Sequence, residues 1–333
     1  MIGKESIFNN SFKINSRLYE ETFKLQALSI FQYQYRNNPI YREFCDYLNA
    51  TDESVVELNH IPFLPIEFFK NKKIISGNEK TQVIFSSSGT TGSLTSKHYV
   101  SDIQIYQESY RKAFSEFYSD ISEYCVLALL PSYLEREGSS LIFMMNDLIA
   151  QSNHKASGFY LDAMDVLPEK LAKLDAQGTK IILIGVSFAL LDLVEAHSFS
   201  LKNTIVMETG GMKGRRKEMI REELHQLLKN GFGVSQIHSE YGMTELLSQA
   251  YSKENGIFYT PPWMKILIRD TEDPLTSQTY GKTGGINIID LANINSCSFI
   301  ATQDLGKRYK DGSFEILGRF DNSDIRGCNL MVL

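Results

Sequence analysis

The chain is poor in several things, and each shortage excludes a class. It has four cysteines, Cys45, Cys125, Cys297 and Cys328, in 333 residues. None forms a Cys-x-x-Cys pair and none is grouped with His at zinc spacing, so no structural zinc site is expected. So large a chain needs no disulfide scaffold, and the scattered cysteines point to reduced thiols in a cytoplasm. Basic excess is also missing: 34 Lys and Arg against 40 Asp and Glu leave a formal charge of −6. No basic stripe compensates locally, which argues against a nucleic-acid partner. Long hydrophobic runs are absent. The longest apolar stretch, residues 181–193, is interrupted by Gly185, Ser187 and Asp192, and it is well short of the roughly 20 residues that span a bilayer. Residues 1–14 contain no apolar core, so no signal peptide is expected. The ending Leu330-Met-Val-Leu333 is not a CaaX box, because Cys328 lies too far from the terminus. There are no internal repeats and no low-complexity segment.

What remains is a folded chain. Hydrophobic residues at 43% with modest net charge exclude a disordered protein. At about 150 residues per domain, the length suggests about two units. Residues 15–50 read as helical, with Tyr19, Phe23, Leu25, Leu28, Ile30 and Phe31 recurring at helical spacing. Pro62 and Pro65 then force an extended segment. Strands are predicted at 82–85, 125–130, 180–184, 204–207 and 236–238, separated by helices at 101–118, 141–150, 188–197 and 215–229. Apolar strands alternating with helices predict an α/β fold with a largely parallel sheet. From Tyr251 the texture changes to short strands at 257–259, 264–268, 285–289 and 298–300. The expected organisation is an α/β nucleotide- and acyl-binding core over 1–250, then a β-rich subdomain and tail over 251–333.

Three segments carry chemistry. The first is Ser86-Ser-Ser-Gly-Thr-Thr-Gly92 after a strand. Glycines let backbone approach an anion, and the amides and hydroxyls donate to phosphate oxygens. It is not a Walker A loop, and Gly281-Lys-Thr283 is read as a turn because no glycine stands five residues earlier. The second is Glu240-Tyr-Gly-Met-Thr-Glu245, in which Thr244 offers a hydroxyl to phosphate and Glu245 a carboxylate to Mg²⁺. The third is Thr302-Gln-Asp304 with Gly318-Arg-Phe-Asp321 downstream, an Asp and an Arg suited to clamping ribose hydroxyls. Taken singly, each also reads as an ordinary turn or strand end.

In this order the three resemble the adenylate-forming superfamily of acyl-CoA synthetases, adenylation domains and firefly luciferase. Tyr241-Gly-Met-Thr-Glu245 matches its YGxTE motif, Asp304 its ribose-binding Asp, and Gly318-Arg319 its GR motif. Met207-Glu-Thr-Gly-Gly211 is similar to the strand end that faces adenine. Within the superfamily, residues 62–69, 209–214 and 326–330 resemble the LuxE acyl-protein synthetase family. The resemblance spans about residues 60–328. It implies an adenylate-forming large domain, two packed α/β subdomains plus a small β-rich one, and activation of a carboxylic acid, expected to be fatty, with ATP and Mg²⁺. It assigns the phosphate loop to Ser86, Ser87, Ser88, Gly89, Thr90, Thr91 and Gly92. It puts adenine against Tyr241 and Gly242 with Gly210 and Gly211, ribose at Asp304 and Arg319, the α-phosphate at Thr244 and Mg²⁺ at Glu245. In the family a cysteine near the C-terminus accepts the acyl group; Gly327-Cys328 matches that position, and Arg326 beside it is expected to favour the thiolate. The partners implied are the acid, CoA or a carrier protein, and an acyl-accepting reductase or transferase.

The chain departs from the superfamily in two places. The phosphate loop continues Gly92-Ser-Leu-Thr-Ser-Lys97, with no proline and the lysine two residues late. The C-terminal domain that supplies a lysine to the carboxylate and ATP is expected to be absent after Leu333; Lys213 or a partner's cation is the expected substitute. Two other readings stand beside this one. A non-catalytic or partner-dependent acyl- and nucleotide-binding module differs from the enzyme by lacking ATP–pyrophosphate exchange. A serine hydrolase would use Ser187 in Gly185-Val-Ser-Phe-Ala189, a near miss to the nucleophile elbow, with His197, His225 or His238 as base. His238 is otherwise a structural residue or a contact to the substrate carboxylate, and His98 is expected at the surface.

Overall fold

The computed structural model describes residues 7–8, 16–87, 94–131, 138–210 and 219–320. The chain enters through α1 (Arg17–Asn37) and α2 (Pro39–Tyr47), then β1 (Leu64–Pro65) and the short α3 (Phe68–Asn71). A hairpin of β2 (Val83–Ser86) and β3 (Lys97–Val100) leads to α4 (Ile103–Tyr118). Alternation follows: β4 (Cys125–Leu129), α5 (Ser140–Ser152), β5 (Gly158–Phe159), α6 (Leu167–Ala176), β6 (Ile181–Val186), α7 (Ser187–Ala196), β7 (Thr204–Thr209), α8 (Arg221–Phe232) and β8 (His238–Tyr241). The rest is strand: β9 (Ala250–Ser252), β10 (Ile257–Tyr259), β11 (Met264–Arg269), β12 (Gly284–Asp290), β13 (Phe299–Arg308) and β14 (Phe314–Arg319).

Apart from the β2–β3 hairpin, these strands form one sheet in the order β11-β12-β13-β14-β10-β9-β8-β7-β6-β4-β5, with β1 added beside β13. Strands β5, β4, β6, β7 and β8 run parallel. From β8 to β9 the pairing turns antiparallel and stays so to β11. The reason is in the side chains. Every residue of β4 is buried, as a strand covered by helices on both faces must be. Alternation sorts them: Val126, Ala128, Ile182, Ile184 and Met207 face a core with α4 and α5, while Cys125, Leu127, Ile181, Leu183 and Val206 face one with α6, α7 and α8.

Helices start where the capping residues stand. Ser16 accepts the Tyr19 amide, Asn38 the Tyr41 amide ahead of Pro39 at the first position, and Asp102 the Gln104 amide. The α1–α2 hairpin is pinned to the antiparallel half by Gln34, whose amide nitrogen donates to the Asn293 carbonyl at 3.0 Å and whose oxygen accepts the Ser298 amide at 3.0 Å. Tyr41 stacks on Phe299 at 6.0 Å between ring centroids. The extended segment at Pro62 and Pro65 pairs through β1, Leu64 lying beside Ile300, and the Gly281 segment is a turn with φ at 76°. Among the described residues no helix is long and apolar enough to cross a membrane.

Candidate active site at the carboxyl ends of the parallel strands

Strands β6, β7 and β8 end side by side, with Val186 beside Thr209 and Thr209 beside Glu240. In open α/β sheets the crevice beyond such ends is where ligands bind. Tyr241, the last residue of β8, donates its hydroxyl to Asp304 Oδ2 at 2.7 Å. Arg319 Nε donates to Asp304 Oδ1 at 3.0 Å, and the two residues are register partners of β13 and β14. Tyr241 and Arg319 therefore meet on the Asp304 carboxylate. Asp304 is buried whereas the Arg319 side chain is 61% exposed, so the pair presents its cation outward. The Tyr241 ring packs against Phe258 and Phe314, and burial, reinforced by Asp304, pushes its phenol well above the ordinary value. It stays a donor at any physiological pH.

Glycine at 242 is a steric demand. A Cβ there would lie 2.6 Å from Glu240 Oε1, closer than real contacts come. Glu240 is itself buried; the Thr209 hydroxyl donates to Oε2 at 2.5 Å, but burial outweighs that bond and pushes the carboxyl up to about 7. On β7, Glu208 goes the other way. Burial opposes its charge, but hydrogen bonding from His225 and the nearby Arg221 guanidinium (3.6 Å) hold its carboxyl below the usual range. Gly210 takes a positive φ of 69°, and its carbonyl accepts the Ser187 hydroxyl at 2.8 Å.

Beyond Gly242 the chain has no regular secondary structure until β9, yet residues 245–249 are buried. Buried backbone without a ladder needs other partners. They come from the end of β12 and the 3₁₀ turn Leu291–Asn293. Asp290 accepts the Leu247 amide at 2.8 Å and the Ser248 hydroxyl at 2.6 Å. Asn293 donates to the Glu245 carbonyl at 2.7 Å. His98 Nδ1–H donates to the Thr244 carbonyl at 2.9 Å. The Glu245 residue is 5% exposed. Ser86 and Ser87 close the β2 side of the hairpin: Ser86 pairs with Lys97 and donates its amide to the Gly138 carbonyl at 2.7 Å, and the Ser87 hydroxyl accepts the Ser96 amide at 3.0 Å. Ser88, Gly89, Thr90, Thr91, Gly92, Gly211, Lys213 and Cys328 lie outside the described residues.

Two expectations change. His98 is not a surface residue; it is fully buried, because the β2–β3 hairpin folds down onto Phe69 and the motif segment. Ser187 is no hydrolase nucleophile, since its hydroxyl donates to Glu208 and to the Gly210 carbonyl rather than to any histidine. His238 accepts the Tyr118 hydroxyl at 3.1 Å, and burial lowers its pKa to about 4. Cys45, Cys125 and Cys297 are buried, and burial pushes all three thiols up, Cys45 to about 12. Sequence reasoning missed Asp290, Asn293 and the role of His98. Their only signal was polarity inside apolar surroundings, Asp290 following Ile286-Asn-Ile-Ile289.

A family model described as "Acyl-protein synthetase, LuxE" matches residues 6–333. The long-chain-fatty-acid–luciferin-component ligase of Vibrio harveyi is 24% identical over 329 residues, covering 90% of this chain and 84% of that protein. Among solved structures, 2-hydroxyisobutyryl-CoA ligase in the postadenylation state superposes with a TM-score of 0.69 at 11% identity, over 94% of this chain and 73% of that one. ATP-bound MatB from Rhodopseudomonas palustris gives 0.54 at 18% identity, over 85% of this chain. The chain spans little more than half the length of that MatB, 58%. These likenesses show an adenylate-forming ligase fold.

Proposed function

The chain belongs to the LuxE acyl-protein synthetase family, and on that premise we propose that it activates a long-chain carboxylic acid with ATP and passes the acyl group to a thiol. The observation that carries this reading is the meeting of Tyr241, Asp304 and Arg319 beside the ends of β7 and β8. One buried carboxylate with an aromatic on one side and an outward cation on the other suits a ribose with its base and phosphates. ATP fits these residues: Asp304 accepts from ribose hydroxyls, Arg319 reaches outward, and Gly210 and Gly242 let backbone approach the base. Glu245 is the residue proposed to hold Mg²⁺, which when bound would neutralise charge on the triphosphate.

In the first step a carboxylate oxygen of the acid attacks the α-phosphorus. The bond from that phosphorus to the α–β bridging oxygen breaks, and pyrophosphate leaves. Nothing covalent is asked of the protein, so rate comes from positioning and charge stabilisation. Thr244 is the proposed α-phosphate donor and the run from Ser86 to Gly92 the proposed holder of the β- and γ-phosphates, with Lys213 as the cation. In the second step a thiolate, proposed as Cys328, attacks the acyl carbon; the bond to the AMP oxygen breaks and a thioester forms. CoA, a carrier protein or a reductase or transferase partner would take the acyl group onward.

Exchange of labelled pyrophosphate into ATP, measured with acids of graded chain length, tests the first step. Acid-dependent exchange that rises with chain length is the expected result. No exchange with any acid, by protein that binds ATP, would leave a binding module and overturn the reading.

A further inference from the structure

The hairpin that leads into the Ser/Gly/Thr run and the segment that carries Thr244 and Glu245 are separate in the fold. The β2–β3 pair stands outside the large sheet, and residues 242–249 follow β8 within it. Among the described residues, a side chain of β3 joins them. His98, on β3, is fully buried. Its Nδ1 lies 2.9 Å from the Thr244 carbonyl, and its Nε2 lies 3.0 Å from Asn293 Oδ1. Asn293 then donates to the next carbonyl of the motif, that of Glu245, at 2.7 Å. Asn293 is anchored in turn, because its own carbonyl accepts Gln34 of α1 at 3.0 Å. Two consecutive carbonyls of an irregular, buried segment are thus held by a rigid support from behind and by β3 from the side.

Packing alone does not explain an imidazole here. Phe69 already presents its ring edge-on at 5.8 Å between centroids, and an apolar side chain would fill the space without burying two ring nitrogens. Burial of this ring is expensive enough to hold its pKa near 4. What the imidazole adds is a directional hydrogen bond from Nδ1–H to the Thr244 carbonyl, 146 residues away in sequence, while the bare Nε2 of the neutral ring packs 3.0 Å from Asn293 Oδ1. Buried polar networks of this kind fix geometry rather than add stability.

We propose that His98 is a positioning residue: it fastens strand β3 to the Thr244 carbonyl by a hydrogen bond and packs on Asn293, which itself holds the Glu245 carbonyl, so that the β2–β3 strands and the motif segment keep one relative position. This rests on the adenylation reading above. The chemistry is unaltered; the effect is on where the Thr244 hydroxyl and the Glu245 carboxylate stand when charge develops on the α-phosphate. A displacement on the order of 1 Å at such groups costs about 100-fold in rate.

The test compares wild type, H98A, H98Q, N293A and H98A/N293A by pyrophosphate exchange at saturating acid, with ATP varied. Acid-dependent exchange by wild type is the control that tests the adenylation reading separately. The expected result is a kcat about 10- to 100-fold lower for H98A with KM for ATP changed much less, and a smaller loss for H98Q, whose amide can still donate. The double variant should lose no more than the worse single one, since both changes cut one chain of contacts. Circular dichroism identifies the variants that fold; N293A keeps the test alive if H98A does not. Folded variants with wild-type kcat, kcat and KM falling together, or strictly additive losses overturn the proposal.

Discussion

The Tyr241 hydroxyl donates to one oxygen of Asp304 at 2.7 Å while Arg319 holds the other at 3.0 Å. A residue at the end of the parallel strands is thereby fastened to the antiparallel half, across β9, β10 and β14 of the sheet. Asp304 has both oxygens occupied before any ligand arrives, so its orientation is set in advance. The pair with Arg319 adds little to stability by itself, because one partner is largely exposed. Its value is geometric.

Asp304→Asn therefore tests binding rather than folding. The amide keeps the shape but loses the charge and one acceptor. Hydrogen bonds to charged groups contribute about 1.5–3 kcal/mol, so KM for ATP in the exchange reaction should rise by roughly 10- to 100-fold. Tyr241→Phe keeps the ring against Phe258 and Phe314 and should raise KM less. Equal KM values in wild type and Asp304→Asn would remove Asp304 from the nucleotide site.

Glu240 gives a pH prediction. Its carboxyl is pushed up from 4.5 to about 7, chiefly by burial. Between those values the folded state keeps a proton that the unfolded chain gives up, so this residue's contribution to stability falls as pH rises through that window. Histidines 98 and 238, each lowered to about 4 by burial, act in the opposite sense and cost stability as pH falls below 6.5. The wild-type curve mixes these effects, but the difference between Glu240→Gln and wild type isolates the carboxyl. Urea unfolding should show the variant gaining on wild type by about 1–3 kcal/mol between pH 5 and pH 8. A difference that stays constant with pH would mean Glu240 ionises normally.

Much of this was legible in the residues, for physical reasons that differ by element. Strands β4 and β6 announce themselves because every position from Cys125 to Leu129 and from Ile181 to Ile184 is apolar, which buried parallel strands require. The hairpin strand β3, Lys-His-Tyr-Val, and β14, Phe-Glu-Ile-Leu-Gly-Arg, mix charge with apolar residues and carry no comparable signal. The Tyr-Gly-Met-Thr-Glu segment was legible because residue type and order identify it locally. The supports of that segment were not. Asp290, Asn293 and His98 acquire meaning only from contacts across 42 to 195 residues, which periodicity and spacing do not encode.

Gly242→Ala tests whether the segment tolerates any side chain. The added Cβ would stand 2.6 Å from Glu240 Oε1 and 3.3 Å from Gln249 Cγ. Both neighbours are buried, so relief requires the Glu240 carboxylate or the loop that carries Thr244 to shift. Overpacking of this kind costs about 1–3 kcal/mol, and the shift should lower exchange kcat by at least about 10-fold. Pairing the change with Glu240→Ala, which removes the clashing oxygen, should recover stability but not the proton behaviour described above. No recovery in the pair would place the clash elsewhere.

The acyl acceptor can be tested against the three thiols whose environment is known. Cys45, Cys125 and Cys297 are buried, and burial raises all three, so at neutral pH they are protonated and sheltered. Thiolate is the attacking species, so these three are poor acceptors; Cys328 is the proposed acceptor because it matches the family's C-terminal cysteine position. Incubation with ATP and a radiolabelled fatty acid should label wild type with one hydroxylamine-sensitive acyl group. Cys328→Ser should leave pyrophosphate exchange within about twofold of wild type, because the adenylate forms before the thiol acts, and should abolish the thioester. A triple Cys45, Cys125 and Cys297 to Ala variant that still folds should label normally. Label retained by Cys328→Ser in hydroxylamine-sensitive form would return the acceptor to one of the buried thiols, and would require the core around β4 or β13 to open during turnover.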